Sequence, residues 1–281
     1  MQAYKQGVKK FENGEYDLAV RDFQRAVTGN YEALQSTYYL AESYRLSNRF
    51  KDALPYYKQV LDGGLSAPDA RFQYAYALKT TGDYPEAAKQ FAQFVQQADA
   101  PKNLQERALR EIQTLRITDR IALTKQEVVV ENMAINSPAA EFAPALLNAD
   151  ELVFSAARKQ RVYKNNGQPM LGIFKIKLKE DPTQTTGTPT PLSPAIWAEE
   201  ANEGSPAFTP DGKTIVFARG NTGKRKGTMD VNLYMSRLVN GQWTEPRYLP
   251  INDSLSWDGS PAFSRDGKTL YFASNRPGGV G

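Results

Sequence analysis

The side chains that most enzymes use for proton transfer and metal binding are absent: the 281 residues include no histidine and no cysteine. Without an imidazole there is no general base that titrates near neutrality, and the usual transition-metal ligand is missing. Without a thiol there is no disulfide, thiolate nucleophile or cysteine-based zinc site. Carboxylate and Ser–Lys chemistry stay open, but no Gly-x-Ser-x-Gly elbow presents a serine. The run Arg219 to Gly227 is basic and flanked by glycines. It lacks the strand-to-helix setting of a phosphate loop. Its Lys224, Arg225 and Lys226 read either as a patch for an acidic partner or anionic lipid, or as a solvated loop between strands. No catalytic residue, cofactor or metal ligand follows from the sequence, so the candidate sites are surfaces.

The net charge of +4 is scattered along the chain, which argues against a nucleic-acid partner. No run approaches the ~18 apolar residues of a membrane-spanning helix. Met1-Gln2-Ala3-Tyr4-Lys5 has no apolar core of a signal peptide. The start is that of a cytoplasmic protein or of a mature segment with an added or internal Met. The missing cysteines do not decide the compartment.

Two periods organise the elements that shape these surfaces. In the first hundred residues the period is 34: Ala19, Ala53 and Ala87 fall on it, as do Phe23, Tyr57 and Phe91, Gly7, Ala41 and Ala75, and Tyr16, Phe50 and Tyr84. Small residues at the Gly7 and Ala19 positions let paired helices approach. Gly14, Asn48 and Gly82 fall between the helices of each pair, where positive φ is wanted. Helices are predicted near 2–13, 17–28, 31–47, 51–62, 68–81 and 85–98. A capping helix follows over 103–123, with Leu104, Ala108, Leu109, Ile112, Leu115 and Ile121 on one side. The stretch resembles three tetratricopeptide repeats, for which 34 is the repeat length. That resemblance implies a curved array whose first helices line a groove for a peptide or partner helix. The inward positions are Tyr4, Val8, Phe11, Tyr38, Glu42, Arg45, Phe72, Tyr76 and Lys79. The alternative is that these aromatics pack between helices.

The second period is a hairpin said twice. Gly204-Ser205-Pro206-Ala207-Phe208 to Ala218-Arg219 and Gly259-Ser260-Pro261-Ala262-Phe263 to Ala273-Ser274 repeat at an offset of 55. Glu141 to Ala156 is a worn third copy with a shorter turn. Asp211-Gly212 and Asp266-Gly267 are expected to form two-residue turns with positive φ at both residues. The apolar strands Ile215–Ala218 and Leu270–Ala273 are expected to be covered on both sides. Leu171–Leu178 and Val231–Leu238 alternate, as half-exposed outer strands do. Asn240-Gly241 signals a further hairpin, with Gln242-Trp243 and Arg247–Pro250 outermost. Lys179 to Pro194 reads as a mobile surface loop, and Lys125 to Asn136, with Val128-Val129-Val130, as a crossover strand.

From Ser137 the chain resembles the TolB-like β-propeller family, through the repeated Ser-Pro-Ala-Phe-x-x-Asp-Gly-Lys pattern and Ser274-Asn275-Arg276-Pro277-Gly278-Gly279. The expected architecture is therefore multidomain, α then β. A tetratricopeptide solenoid with its cap occupies 1–124 and a crossover 125–136. An incomplete β-propeller of two blades and the start of a third fills 137–281. A propeller closes with roughly four to eight blades, so the expectation is the N-terminal part of a longer chain. Repeats followed by such a propeller are similar to cell-envelope proteins of Bacteroidota that serve type IX secretion and gliding. The resemblance implies a non-enzymatic periplasmic scaffold, associated with the outer membrane as a lipoprotein. It would meet peptidoglycan only through an OmpA-like domain absent from this sequence. A cytoplasmic interaction adaptor and the accessory propeller of a peptidase are the alternatives.

Overall fold

The computed structural model describes residues 1–123, 130–180, 184–220, 222 and 231–278. The chain divides into two compact units, one built on helices and one on strands. In the first lie α1 (Gln2–Glu12), α2 (Tyr16–Thr28), α3 (Ala33–Leu46), α4 (Phe50–Asp62), α5 (Ala70–Thr81), α6 (Tyr84–Val95) and α7 (Lys102–Leu123). The turns inside the three pairs are made by Gly14, Asn48 and Gly82, at φ of 74°, 62° and 93°. Helix α3 begins later than its periodicity suggests, because Asn30 and Glu32 are left-handed.

The 34-residue positions form the core. Ala19, Ala53 and Ala87, and Phe23, Tyr57 and Phe91, each have 0% exposure. A Cβ on Gly7 would sit 2.8 Å from the Phe23 ring, so only glycine admits this approach of α1 to α2. Helix α7 buries Ala108 and Leu115, with Leu104 and Ile112 packed beside them. Leu109 does not join that face and is 49% exposed. One residue on from Ala108 is about 100° further round the helix. The side chain of Ile121 lies outside the described residues.

The strand unit contains repeated antiparallel sheets. β1 (Glu141–Leu146), β2 (Glu151–Val162), β3 (Pro169–Leu178) and β4 (Thr185–Pro191) are hydrogen-bonded in chain order. β5 (Asn202–Phe208), β6 (Thr214–Gly220), β7 (Asn232–Val239) and β8 (Gln242–Trp243) do the same, and β9 (Arg247–Tyr248) also pairs with β7. β10 (Asp258–Phe263) and β11 (Leu270–Ser274) form a third hairpin. One device recurs. Ala143, Ser205 and Ser260 have φ of 52°, 52° and 50°, and the register slips there in β1, β5 and β10. Each precedes a proline, which has no N–H for the ladder, so a bulge sets it aside.

Four expectations change. Lys179–Pro194 is not simply a loop: its threonines form β4 on the free edge of β3, where β-branched residues fit the pleat. The Asp-Gly turns are not two-residue turns. The Gly212 amide donates to the Thr209 carbonyl (2.8 Å) and Thr209 to Thr214 (3.0 Å). Only the glycines, Gly212 and Gly267, have positive φ. Each is a type I turn closed by a left-handed glycine, with the Asp side chain tying its start. Ile215, Val216 and Phe217 are buried between flanking strands, whereas Tyr271 on β11 is 61% exposed. Among the described residues β11 pairs with β10 alone. Finally, 130–136 contain no strand, and Val128 and Val129 lie outside the described residues.

The Gly7 contact is testable. Gly7→Ala forces an extra carbon against a ring that cannot retreat, at a cost of about 1–3 kcal/mol. Thermal unfolding followed at 222 nm should show a lower midpoint with an unchanged helical signal in the cold. An unchanged midpoint would mean that α1 and α2 are not in tight contact.

Candidate functional site

The predicted inward positions of the helical unit do not stand free. Tyr4, Val8 and Phe11 pack against the first core cluster, with Tyr4 edge-on to Phe23 and Phe11 edge-on to Tyr39. Phe72 is buried, and the Arg107 guanidinium lies 5.3 Å from its ring centroid. Tyr76 packs between Phe50 and Phe72. The polar members are already paired. Tyr38 Oη donates to Asp69 Oδ1 at 2.8 Å. Glu42, 6% exposed, accepts from Arg45 Nε (3.0 Å) and Nη2 (2.5 Å) and from the Tyr57 hydroxyl. Lys79 pairs with Glu111 of α7.

These pairings set the electrostatics. Burial, then the Glu42 and Asp69 charges, push the Tyr38 phenol far above its ordinary range. Burial and Glu42 do the same to Tyr57. Burial works against the Arg45 charge, but the bonds to Glu42 outweigh it and hold the guanidinium above its usual value. The half-buried Tyr38, Arg45, Tyr76 and Lys79 thus present rings and hydrogen-bonding edges, with the Arg45 and Lys79 charges paired in place. Such a surface suits a partner that binds by shape and hydrogen bonds. Lys224, Arg225 and Lys226 lie outside the described residues.

The strand unit holds a constellation that sequence reasoning missed. Glu141, Glu203 and Asp258 stand at or near the start of β1, β5 and β10. Each meets an arginine, and that arginine also donates to an isoleucine carbonyl and overlies a phenylalanine. Arg158 joins Glu141 (2.9 Å), the Ile135 carbonyl and the Phe154 ring. Arg219 joins Glu203 (2.8 Å), the Ile196 carbonyl (2.7 Å) and the Phe217 ring. Arg276 joins Asp258 (2.9 Å), the Ile251 carbonyl and the Phe272 ring. The signal was present as an acid, an isoleucine and an arginine in each copy. The pairing register hid it: Glu203 faces Arg219 directly, while Glu141 faces Ala156 and Asp258 faces Ser274, each two residues before its arginine.

The middle clamp has a further cation. Lys159 of β2, with no exposed side-chain surface, donates to the carbonyls of Ala198 (2.7 Å) and Ala201 (2.8 Å) and to Glu203 (3.0 Å). Its ammonium lies 4.7 Å from the Trp197 ring centroid. Burial pushes this ammonium below the usual lysine range. The amide of Ser205, freed by the bulge, donates to Ser155 Oγ of β2 at 2.9 Å. These bonds join the first sheet to the second.

Residues 4–63 and 43–103 match the family model of the tetratricopeptide repeat. Residues 4–103 carry tetratricopeptide repeats. Among solved structures, the type III secretion translocator chaperone SycD of Yersinia enterocolitica is 16% identical. That match covers 42% of this chain and 84% of SycD, with a TM-score of 0.38. PcrH from Pseudomonas aeruginosa is 19% identical over 41% of this chain and 89% of its own (TM-score 0.36). The second TPR domain of human RPAP3, in complex with an HSP70 peptide, is 18% identical over 41% and 92% (TM-score 0.35). No curated protein matches the chain. Among the described residues, the repeats and the strands hold no group of three or more acidic residues placed to bind a metal. No described helix is long and apolar enough to cross a membrane.

Two measurements follow. Lys159→Met removes one partner of a fully buried pair and should cost about 3 kcal/mol in urea unfolding. Arg161→Met, at the exposed pair with Glu200, should stay within about 0.5 kcal/mol. Equal losses would remove the distinction between the sites. The second concerns pH. Burial raises Glu141 and Asp258, but hydrogen bonds from Ser137 and the Asp253 amide, with the arginines, outweigh it and leave both carboxyls below their usual range. A depressed folded value stabilises above the unfolded pKa, about 4, and that stabilisation is lost as pH falls through the folded value. Stability of the strand unit should therefore fall with acid below about pH 5. The double variant Glu141→Gln/Asp258→Asn should show a shallower fall, and an unchanged slope would refute this assignment.

Proposed function

We propose that this chain is a non-enzymatic scaffold that docks protein partners along the inner helices of its tetratricopeptide repeats. The observation that carries this reading is the inner surface of residues 4–103, with Tyr38, Arg45, Tyr76 and Lys79 half-exposed and the Arg45 and Lys79 charges already paired. The strand unit is read as the N-terminal part of a TolB-like β-propeller. Antiparallel sheets of consecutive strands, each opened by the same bulge and closed by the same acid–arginine clamp, support that reading. On its resemblance to Bacteroidota envelope proteins, we read the scaffold as periplasmic and as part of an outer-membrane machine for type IX secretion or gliding. Anchorage to peptidoglycan would belong to a domain outside this sequence.

The test is site-specific photocrosslinking in native cells. A benzoylphenylalanine at Tyr76, on α5, is compared with one at the exposed Lys89 on α6. Adducts to envelope proteins should form from position 76 and not from 89. Equal yields from both positions would reject the inner helices as the docking surface. Adducts confined to cytoplasmic proteins would reject the envelope placement and leave an adaptor.

A further inference from the structure

At one end of the first two sheets the turns after β1, β5 and β7 and the segment after β4 surround an open cleft of about 690 Å³. That volume is in the range of ligand sites, roughly 300–1,000 Å³. Its floor is apolar, made by Leu147, Leu192, Leu238 and Trp243. Leu192 belongs to the core cluster shared by the two sheets, and Leu147 and Trp243 pack against it. Its rim is polar and partly unspent. Asp211 uses one carboxylate oxygen, Oδ1, for the Thr209 hydroxyl (2.6 Å) and the Lys213 amide (3.0 Å). Glu151 uses Oε1 for Lys175, at 3.2 Å. Among the described residues the second oxygen of each carboxylate, the Gln242 amide and the Trp243 indole N–H have no hydrogen-bond partner.

The chemistry selects the occupant. Two carboxylates against one lysine make the rim acidic in a chain whose net charge is +4. Hydrogen bonds from Thr209 and Lys213 hold the Asp211 carboxyl below its usual range, so it is charged at neutral pH. A leucine-lined floor needs an aliphatic group. A saccharide would instead want an open aromatic face, and the Trp243 ring is packed against Phe208 at 6.0 Å. The Gln242 amide can both donate to and accept from a peptide backbone. We propose that this cleft binds an extended peptide segment that sets an aliphatic side chain on the leucine floor and a lysine or arginine beside Asp211. The inference deepens the scaffold reading by giving the strand unit a ligand of its own.

The experiment selects a random-hexapeptide display library on the full chain and measures the enriched peptides by fluorescence polarisation. Enriched sequences should pair an aliphatic residue with a neighbouring Lys or Arg, and added salt should weaken their binding. Asp211→Asn, which keeps an Oδ1 acceptor for Thr209 and Lys213 and removes the charge, should weaken it by about tenfold or more, with circular dichroism unchanged. Gln242→Ala should give a smaller loss in the same direction. Peptides without a basic residue, binding indifferent to Asp211→Asn, or no enrichment at all would each overturn the proposal. Binding of a panel of neutral oligosaccharides in place of peptides would overturn it in favour of a sugar site. Crosslinking from position 76 is independent of all these outcomes, so a failed cleft and a failed helical docking surface are told apart.

Discussion

A carboxylate removed from water must be given donors, and both units of this chain are built around that demand. In the helical unit Glu42 is enclosed by Arg45 and Tyr57. In the strand unit Glu141, Glu203 and Asp258 are each closed by an arginine that is itself held by a backbone carbonyl and an aromatic ring. Breaking one member of such a set leaves an uncompensated charge, which is far more costly than losing a surface pair. The guanidinium suits this role because it stays charged and offers donors in several directions at once. The strands therefore cannot slide: a one-residue slip in β5 would carry Glu203 to the other face, away from both Lys159 and Arg219.

The same demand shapes what the surfaces can do. On the helical side the charges at the inner positions are consumed within the protein. What remains exposed there is a set of rings and hydrogen-bonding edges. On the strand side the order is reversed. The clamps lie within the sheets, while the cleft at the turn end keeps carboxylate oxygens that are not fully used. The proposed selectivity, by shape on one unit and by charge on the other, rests on where each unit spends its acids.

Much of the fold was legible because it depends on local backbone rules and on period. Gly14, Asn48 and Gly82 had to be turns, since only residues tolerant of positive φ serve there. The 34-residue recurrence of alanine and aromatic positions marked the core, and those positions are fully buried. Where reading failed, the cause was a partner distant in sequence. The threonines of β4 look like a loop until the open edge of β3 is placed beside them. The Asp-Gly pairs have the composition of a tight turn, yet Thr209 and Ser264 extend the loop through bonds to the Asp side chains. Leu109 keeps company with core residues in sequence but not around the helix.

The sequence by itself therefore determined the two kinds of unit, the helix pairs and the repeated hairpins. Those depend on periodicity and on which residues permit left-handed backbone. Only the tertiary structure decided which charged residues are interior. Nothing in the composition separates Lys159 from Lys175 or Arg219 from Arg161, because burial is a sum over neighbours contributed by other strands. The clamp shows the limit most clearly: the arginine that closes it in β6 stands two positions earlier than its counterparts, and side-chain reach brings all three guanidinium groups to equivalent partners.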